Sequence, residues 1–356
     1  MLSFSALKIS ANLDTKPYFL PFVVTPLAIT SVNFAFASGS AHDNHETKEE
    51  KFDVGEMIMH HISDEHGWAF THDFKLPLPV ILYTSDRGLE VFSSSHLEHG
   101  HTYQGYVNHH EHIHRVNEAG EVDETIHVTD FSITKNVAAL ILSAVILFFL
   151  FTAVAKGYRV NRGKAPKGVQ SFLEPLIVFM RDEVVKPSIG KKYEKYFPYL
   201  LTLFFFIFVN NLLGLFPGGA NLTGNIAITL VLAFITFLIT NISANKNYWM
   251  HILRPPGVPI ALLPIMLPVE IVGVFMKPLS LMIRLFANIT AGHIIMLSLF
   301  GLIFIFENWG VTPLVAVFAL FMNAIELIVA FLQAFIFTLL SSMYIGTAIE
   351  EHDDHH

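Results

Sequence analysis

The chain has 356 residues, of which 53% are hydrophobic and 15% are charged, and its formal net charge is −8. Soluble globular domains average about 25% charged residues, so this composition argues against an ordinary soluble enzyme and indicates a protein that lies largely in lipid. The sequence contains no cysteine, which excludes disulfide bonds and thiolate metal sites.

The first predicted element is an N-terminal signal peptide over residues 1–37. Two lysines precede an apolar stretch that ends in the A-x-A pattern of residues 35–37, and polar residues follow at once. The alternative is an uncleaved first span, which Pro21 and Pro26 make less favourable. With a signal peptide, the segment that follows is expected in the periplasm of a bacterium.

Residues 38–134 are predicted to form a small, extramembrane domain that contains β-strands. Up to residue 130 this segment has 18 acidic residues against 5 basic ones, and it holds 14 of the 19 histidines. Alternating patterns predict strands over 77–84, 88–95 and 124–134. The polar segment 39–52 is predicted to be disordered.

A run of histidines in this domain is the candidate metal site of the sequence. His110, His112 and His114 would share one face of a strand, where they could bind a metal. No spaced partner motif accompanies them, so a solvated loop whose imidazoles titrate near neutral pH is favoured. No metal site is therefore predicted. The alternative is a metal site formed by these three histidines. No cofactor and no nucleic-acid partner are predicted, and no phosphate-binding loop is present.

The apolar runs that could cross a ~30 Å hydrocarbon core begin near residue 136. The first predicted span, 136–155, is followed at once by the basic block 156–167, which the positive-inside rule places in the cytoplasm. Residues 168–195 mix apolar and charged side chains and predict an amphipathic helix on the inner membrane surface. Spans two and three, at 196–215 and 225–244, form a hairpin.

Two longer apolar stretches follow, at 258–305 and about 313–347. Each is too long for an upright helix, which indicates tilted or bent helices, the first of them with a break near Pro264 or Pro268. Counting spans places the acidic tail 351–356 in the cytoplasm.

The predicted fold is therefore an all-α polytopic membrane protein with a small N-terminal extramembrane β-containing domain. It has about five transmembrane helices, the last two long and tilted, and an amphipathic surface helix. The predicted divisions are 1–37, 38–134, a transmembrane domain over 135–350 and a cytoplasmic tail over 351–356.

Ionisable side chains in the fourth span are the first candidates for function, because each costs about 2.5–3.5 kcal/mol in the middle of a membrane. Glu270, Lys277 and Arg284 are seven residues apart and lie on one stripe of a helix. Asn288, four residues after Arg284, extends that stripe. His293 points about 180° away from Arg284.

The last span carries a second polar set on one face, Glu326, Gln333 and Tyr344. A carboxylate and an amide on this helix can meet His293 on the other, which would create a protonatable path in a dry medium. The alternative for Arg284 is a structural ion pair with Glu326 that only holds the two helices together.

Several motifs resemble one family, the ATP synthase subunit a, over roughly residues 135–350. KPLSLMIRLFANITAGH (277–293) resembles its signature helix, and ELIVAFLQAFIFTLLSSMYI, from Glu326, resembles its final helix. NNLLGLFP (210–217) with ANLTGNIAIT (220–229) resembles its second-hairpin region. The resemblance is specific because the motifs of the signature helix and the final helix both occur, in the right order and at the right spacing.

The resemblance implies roles for the polar residues. Arg284 would face a ring of c subunits, and Asn288 and Gln333 would line the contact region. In many bacterial members an acid on the first helix pairs with a histidine on the second, whereas here His293 and Glu326 stand in exchanged positions, as in the mitochondrial form. Tyr344 joins this relay set, which favours protons over sodium ions.

The resemblance also implies a non-catalytic subunit of a proton-transporting complex in a bacterial inner membrane. Its expected partners are the c-ring, subunit b of the peripheral stalk, the remainder of the ATP synthase and membrane lipid. The domain over 38–134 departs from short family members. The rival interpretations are a secondary transporter, for which no inverted repeat is visible, and a periplasmic metal-binding receptor held by passive spans.

Overall fold

The computed structural model describes residues 64–71, 74–109, 112–117, 122–123, 126–161, 164–216, 219–254, 259–306 and 311–350. The predicted signal peptide, the segment 39–52 and the acidic tail lie outside these residues. All described residues belong to one compact unit that begins at Lys51.

The N-terminal part of the described chain is a small β-unit, the described residues from Asp64 to Thr134. Its strands are β1 Gly67–Thr71, β2 Phe74–Pro77, β3 Pro79–Thr84, β4 Gly88–Ser93, β5 Tyr106–His109, β6 His112–Arg115 and β7 Thr129–Asp130. They pair antiparallel in three sheets with the orders β1–β2, β4–β3–β7 and β5–β6. Period-two alternation buries one face of the central sheet, and the core of the unit consists of Val80, Leu82, Leu97, Tyr106 and Ile113.

The predicted strands are confirmed at β3 and β4, which lie within 77–84 and 88–95. The third prediction, 124–134, is wrong for most of its described part, because within residues 126–134 the regular strand is limited to Thr129 and Asp130. Beyond β7 the backbone N–H groups of Phe131 and Ile133 still donate to carbonyls of β3. The chain then turns into the first helix, so the ladder cannot continue.

Eight α-helices follow in the described residues. Their bounds are α1 Lys135–Val160, α2 Val169–Phe179, α3 Lys186–Ile189, α4 Tyr193–Gly214, α5 Ile226–Ser243, α6 Lys246–Leu253, α7 Leu263–Phe306 and α8 Val311–Ile349. Over this described part of the chain, five helical stretches are long and apolar enough to cross a membrane: α1, α2 through α4, α5, α7 and α8. The predicted polytopic all-α membrane protein with a small strand region is therefore confirmed.

The segment predicted as one amphipathic helix, 168–195, is a broken helix. A π-helical stretch, Met180–Val185, follows α2, and a 3₁₀ turn, Gly190–Lys192, leads into α4. Gly190 has a φ of 71°, a conformation that side-chain-bearing residues rarely adopt. The segment buries Leu173, Met180, Val184, Val185 and Ile189 in the main helical core. Its apolar face is thus directed at other helices of this chain.

The long stretch after residue 258 forms α7, one continuous helix of 44 residues. The predicted break is wrong. Pro264 lies in the first turn, where its missing N–H costs no helical hydrogen bond, and the helix continues through Pro268. At 1.5 Å per residue, α7 is roughly 66 Å long, about twice the ~30 Å hydrocarbon core. A helix of this length either inclines in the membrane, as the sequence predicts, or extends beyond the hydrocarbon core.

The central helix of the bundle is α4, which packs against α1 and α8, and α8 packs in turn against α7. Leu200, Phe204 and Ile207 of α4 are fully buried. At Gly346, α8 passes so close to the broken helix that an added Cβ would collide with the carbonyl oxygen of Ser188.

The two ends of the bundle differ in chemistry. The β-unit joins α1 at its first residue, and we call that end the β-end. At the opposite end, the backbone and side-chain amides of Asn245 donate to the carbonyl oxygens of Ala348 (2.8 Å) and Ile349 (2.7 Å), which fixes the end of α8 there. Lys191, Lys192 and Lys195 surround the same place, and we call it the basic end.

Hydrogen bonds attach the β-unit firmly to the start of α1. The carboxylate of Asp64 accepts from the hydroxyl of Thr134 (3.0 Å) and from the backbone N–H of Asn136 (3.1 Å). The N–H of Lys135 donates to the carbonyl of Glu65 (2.8 Å). These bonds satisfy N–H groups that a helix start leaves unpaired, and a carboxylate there is favoured by the helix dipole.

A histidine–aspartate pair strengthens the same junction. The buried His66 ring approaches the Asp130 carboxylate at 2.7 Å. Burial of the Asp130 carboxyl acts to raise its pKa, but the hydrogen bonds from His66 and Ser132 outweigh burial, and the pKa is lowered. Asp130 is therefore ionised at neutral pH and accepts these bonds.

Candidate functional site

Arg284 lies near the middle of α7, with roughly 30 Å of helix on either side. Its side chain is partly exposed at the surface of the bundle, and its guanidinium donates to the hydroxyl of Ser280 at 3.5 Å. Among the described residues no carboxylate lies within ion-pair distance of Arg284, so the predicted alternative of an Arg284–Glu326 ion pair is not realised. A cation is thus held at mid-helix on the outside of the bundle.

On the β-end side of Arg284, the same face of α7 carries small side chains. Ala287, Asn288 and Ala291 lie within two turns of Arg284, and all three are exposed. Small residues on a membrane helix allow another helix to approach closely. Asn288 therefore lies where the sequence predicts it, beside Arg284, on a face that is open to a partner.

On the β-end side of Arg284, His293 and Glu326 line one small cavity. The other lining residues are Asn211, Gly214, Leu215, Asn221, Ile289 and Ala330. The cavity has room for about one water molecule. His293 is partly buried and Glu326 is buried, so the structure brings together the imidazole and the carboxylate that the sequence predicts as partners. We call this cavity the β-end cavity.

Two asparagines of the α4–α5 region complete the wall of the β-end cavity. The amide of Asn211 donates to the carbonyl of Ala330 at 3.0 Å and accepts from the hydroxyl of Thr223 at 2.6 Å. Asn221 accepts from the N–H of Gly224 at 3.0 Å, while its buried amide nitrogen has no hydrogen-bond partner among the described residues. A water in the cavity would satisfy that nitrogen and reach the Glu326 carboxylate.

Asn211, Thr223 and Asn221 are site residues that the sequence patterns alone did not reveal. The available signal was Asn210-Asn211 inside an apolar run, since amides are seldom placed in membrane helices without a polar neighbour. The sequence does not identify the partner, because Ala330 is more than a hundred residues away.

Gly292 of α7 leaves space for the Glu326 carboxylate. An added Cβ would meet a Glu326 carboxylate oxygen at 3.2 Å, closer than ordinary contact, whereas a Cβ on Gly273 of the same helix would meet nothing within 4 Å. On the function that the resemblance of the sequence implies, we expect Gly292→Ala to displace the carboxylate by a few tenths of an ångström and to slow proton transfer about threefold or more, because proton transfer depends on the positions of the reacting groups. The measurement is dye quenching in inverted vesicles.

The matched control for this prediction is Val272→Ile, which adds one methyl group to α7 at an exposed position about 120° from the Arg284 stripe. It should transfer protons at the rate of the unsubstituted protein, because the added methyl group faces away from both the cavity and Arg284. Equal rates for the two variants would show that the position of the Glu326 carboxylate is not limiting.

On the basic-end side of Arg284, Lys277 lies between two tyrosine rings. Its ammonium is 5.7 Å from the ring centre of Tyr248 and 5.6 Å from that of Tyr344, both within the range of cation–π attraction. Burial raises the pKa of the Tyr248 phenol, which keeps it protonated. These three residues line a second small cavity together with Thr236, Phe237, Thr240, Asn241, Val274, Pro278 and Leu281. We call it the basic-end cavity.

The remaining predicted residues are less closely grouped. Gln333 is buried in α8, two turns after Glu326, whereas Glu270 is partly exposed near the start of α7. The predicted polar set therefore divides into His293 with Glu326 on one side of Arg284 and Lys277 with Tyr344 on the other.

Among the described residues, no group of three histidine, cysteine or acidic side chains is placed to hold a metal ion. His112 and His114 both lie in β6, with their ring centres 6.4 Å apart. His110 lies outside the described residues.

Two family models match this chain. One, described as ATP synthase A chain, matches residues 137–346, and the other, described as a domain of unknown function (DUF8433), matches residues 57–134. The boundary between them falls close to the start of α1.

Similar proteins carry the name ATP synthase subunit a. The chain is 42% identical over 308 residues to ATP synthase subunit a 2 of Chlorobaculum tepidum, covering 85% of this chain and 75% of the relative. It is 39% identical over 338 residues to a subunit a of Pelodictyon phaeoclathratiforme, covering 92% and 85%. It is 34% identical over 326 residues to a subunit a of an Anaeromyxobacter species, covering 85% and 73%. Each alignment therefore extends into the region before α1.

Proposed function

This chain belongs to the ATP synthase A chain family, and from that premise we propose that it carries protons to and from a ring of c subunits, so that a proton gradient drives ring rotation. The family implies a multi-pass membrane subunit that translocates protons within the ATP synthase complex. Our proposal names the surface that faces the ring, the residues that transfer protons and the two paths that the protons follow. The chain itself would not catalyse ATP synthesis.

The single observation that carries the proposal is the placement of Arg284. A guanidinium stays protonated even when it is buried, and a cation in the middle of a membrane needs a partner. No described carboxylate of this chain supplies one. The small neighbours Ala287 and Ala291 would let a ring helix approach until its own carboxylate faces Arg284.

The two cavities support two separate half-channels. The β-end cavity would receive a proton from its side of the membrane through Glu326, His293 and water, and deliver it to a ring carboxylate. The neutral carboxylate can then face lipid. After nearly a full turn of the ring, the proton would leave through the basic-end cavity, past Lys277 and Tyr344.

Arg284 would separate these paths. Its charge favours the ionised state of the ring carboxylate opposite it, which promotes proton release, and it repels a proton that would cross directly. Each proton that crosses 100 mV supplies about 2.3 kcal/mol, so several protons are needed for each ATP.

The orientation of the chain is part of the proposal. Lys156 and Arg159 at the end of α1, and the lysines of the basic end, favour a cytoplasmic location for that end by the positive-inside rule. The β-unit would then lie in the periplasm, behind a cleaved signal peptide, and the end of α8 in the cytoplasm of a bacterial inner membrane. Subunit b of the peripheral stalk would be a further partner.

A cross-linking experiment tests the proposed contact with the ring. The chain has no cysteine, so Asn288→Cys introduces a single thiol beside Arg284. Paired with a cysteine placed next to the ring carboxylate, it should form a disulfide in membranes within minutes of mild oxidation, detected as a band of combined mass. Val145→Cys on α1, also exposed, serves as the control and should not cross-link. Equal cross-linking of both positions would contradict the proposal.

A further inference from the structure

We propose that Trp68 of the β-unit is a positioning residue for proton access: it holds the loop whose Asn221 amide forms a wall of the β-end cavity. This inference rests on the proposed function. It gives the extramembrane β-unit a part in proton transfer and makes that unit more than an attachment to the membrane domain.

The first observation is a buried apolar cluster that joins three parts of the chain. It consists of Trp68 from β1, Leu78 between β2 and β3, Ala139 from α1 and Ala220 from the α4–α5 loop. Each is less than one-tenth exposed, and Ala220 is only 2% exposed. The β-unit, the start of α1 and the loop therefore share one buried apolar cluster, in addition to the covalent connection of the β-unit to α1.

The second observation is that this contact has a rigid support. Trp68 lies two residues after the segment Asp64–His66, which holds the first residues of α1 and Asp130 by the hydrogen bonds described above. The backbone that leads to Trp68 therefore cannot shift far without breaking buried hydrogen bonds, which are costly to break.

The third observation connects the loop to the cavity. Ala220 is followed by Asn221, whose unpartnered amide nitrogen belongs to the cavity wall. The same loop is tied to both sides of the cavity, since the hydroxyl of Thr223 donates to Asn211 and the hydroxyl of Thr290 in α7 donates to the carbonyl of Gly224 at 3.4 Å. Displacement of Ala220 would move the Asn221 amide.

The consequence concerns proton exchange at one side of the membrane only. Among the described residues that line the β-end cavity, His293 and Glu326 are the two that titrate. An amide N–H that reaches the carboxylate through water favours its ionised form. The charged and titratable groups that pair with one another near the start of α1 are Glu65, His66, Lys75, Asp130 and Lys135, and none of them is changed in the variants below.

The test uses the assembled complex in inverted vesicles, with ATP synthesis measured as the lumenal pH is varied and the pH of the medium is fixed. In these vesicles the β-end faces the lumen. For Trp68→Ala we expect the lumenal pH of half-maximal rate to rise by about 0.7 unit, a fivefold change in proton concentration, as expected for one lost hydrogen bond. The dependence on the pH of the medium should not change.

Two further variants make the result decisive. Trp68→Phe keeps a buried aromatic ring and should restore the original profile. Leu97→Ala removes a core side chain of the β-unit that lies outside the cluster of Trp68 and Ala220. It weakens the unit without changing the loop, so the lumenal pH of half-maximal rate should stay unchanged. If Trp68→Ala prevents assembly, Trp68→Leu, which retains apolar packing, is measured instead and should show a smaller shift in the same direction.

An unchanged lumenal profile in Trp68→Ala, or in its leucine substitute, would overturn the inference, as would an equal shift in Leu97→Ala. Failure of the proposed function would be distinct. It would appear as continued synthesis by an Arg284→Ala complex in the same vesicles, a result that does not depend on Trp68.

Discussion

Replacement of Arg284 by alanine is expected to abolish proton-driven ATP synthesis, with a loss of about 100-fold or more, as for removal of a charge that acts only on the reacting state. Without the guanidinium, the ring carboxylate opposite α7 loses the charge that favours its ionised form and would keep its proton. The direct path between the two cavities would also lose its electrostatic barrier. The measurement is ATP synthesis in vesicles with an imposed proton gradient.

Proton leak distinguishes this mechanism from a loss of assembly. An assembled Arg284→Ala complex should conduct protons passively, because nothing then separates the two paths, whereas a missing complex would not conduct. Arg284→Lys should also fail in large part, since a lysine loses its proton on burial more readily than an arginine does.

The matched control is Ser280→Ala, which removes the hydroxyl at 3.5 Å from the guanidinium and leaves the charge in place. Its rate should remain within about threefold of the unsubstituted rate, because a long hydrogen bond of this kind contributes little. Normal ATP-linked pumping by an assembled Arg284→Ala complex would refute the function proposed for this chain.

The second large effect is expected at Glu326. Glu326→Gln keeps the size of the side chain but cannot take up or release a proton, so pumping should fall by about 100-fold, the usual scale for loss of a proton-transfer group. Assembly should be retained, since a neutral amide is less costly to bury than a carboxylate. ATP-driven acidification of inverted vesicles gives the rate, and a native gel gives the amount of complex.

A variant with the two residues exchanged tests whether His293 and Glu326 transfer protons together. His293→Glu alone puts two carboxylates around one small cavity, where they repel each other, and pumping should be as low as in Glu326→Gln. The double variant His293→Glu, Glu326→His restores one acid and one imidazole in the same cavity, and its rate should return to within about tenfold of the original. A double variant no better than the single ones would show that each residue has a separate role.

The sequence by itself determined the membrane fold and the position of the central charge. Span lengths follow from the thickness of the hydrocarbon core, so the bounds of α1, α4 and α5 are predicted within a few residues. An arginine in an apolar helix is visible without coordinates because lipid makes it costly. Helical periodicity also places Lys277 and Arg284 on one stripe and directs His293 away from it.

The tertiary structure decided which of these groups meet. Glu326 and His293 share a cavity because α7 and α8 pack with Gly292 between them. Lys277 meets Tyr248 and Tyr344 because the ends of α6 and α8 lie beside α7. Such contacts join residues far apart in the chain, and their pairing depends on packing that has no local pattern.

The same reason explains what the sequence predicted wrongly or missed. Proline lowers local helix propensity, yet α7 continues past Pro268 because neighbouring helices and the lipid favour an unbroken helix. Trp68 is an ordinary apolar residue of a short strand in the sequence, and it gains a role only through its cluster with Ala220. The cost of polar groups in lipid depends on each residue and its neighbours in sequence, so the helices and the unusual charges can be predicted locally. The proposed proton path depends on contacts between distant residues, which only the folded chain determines.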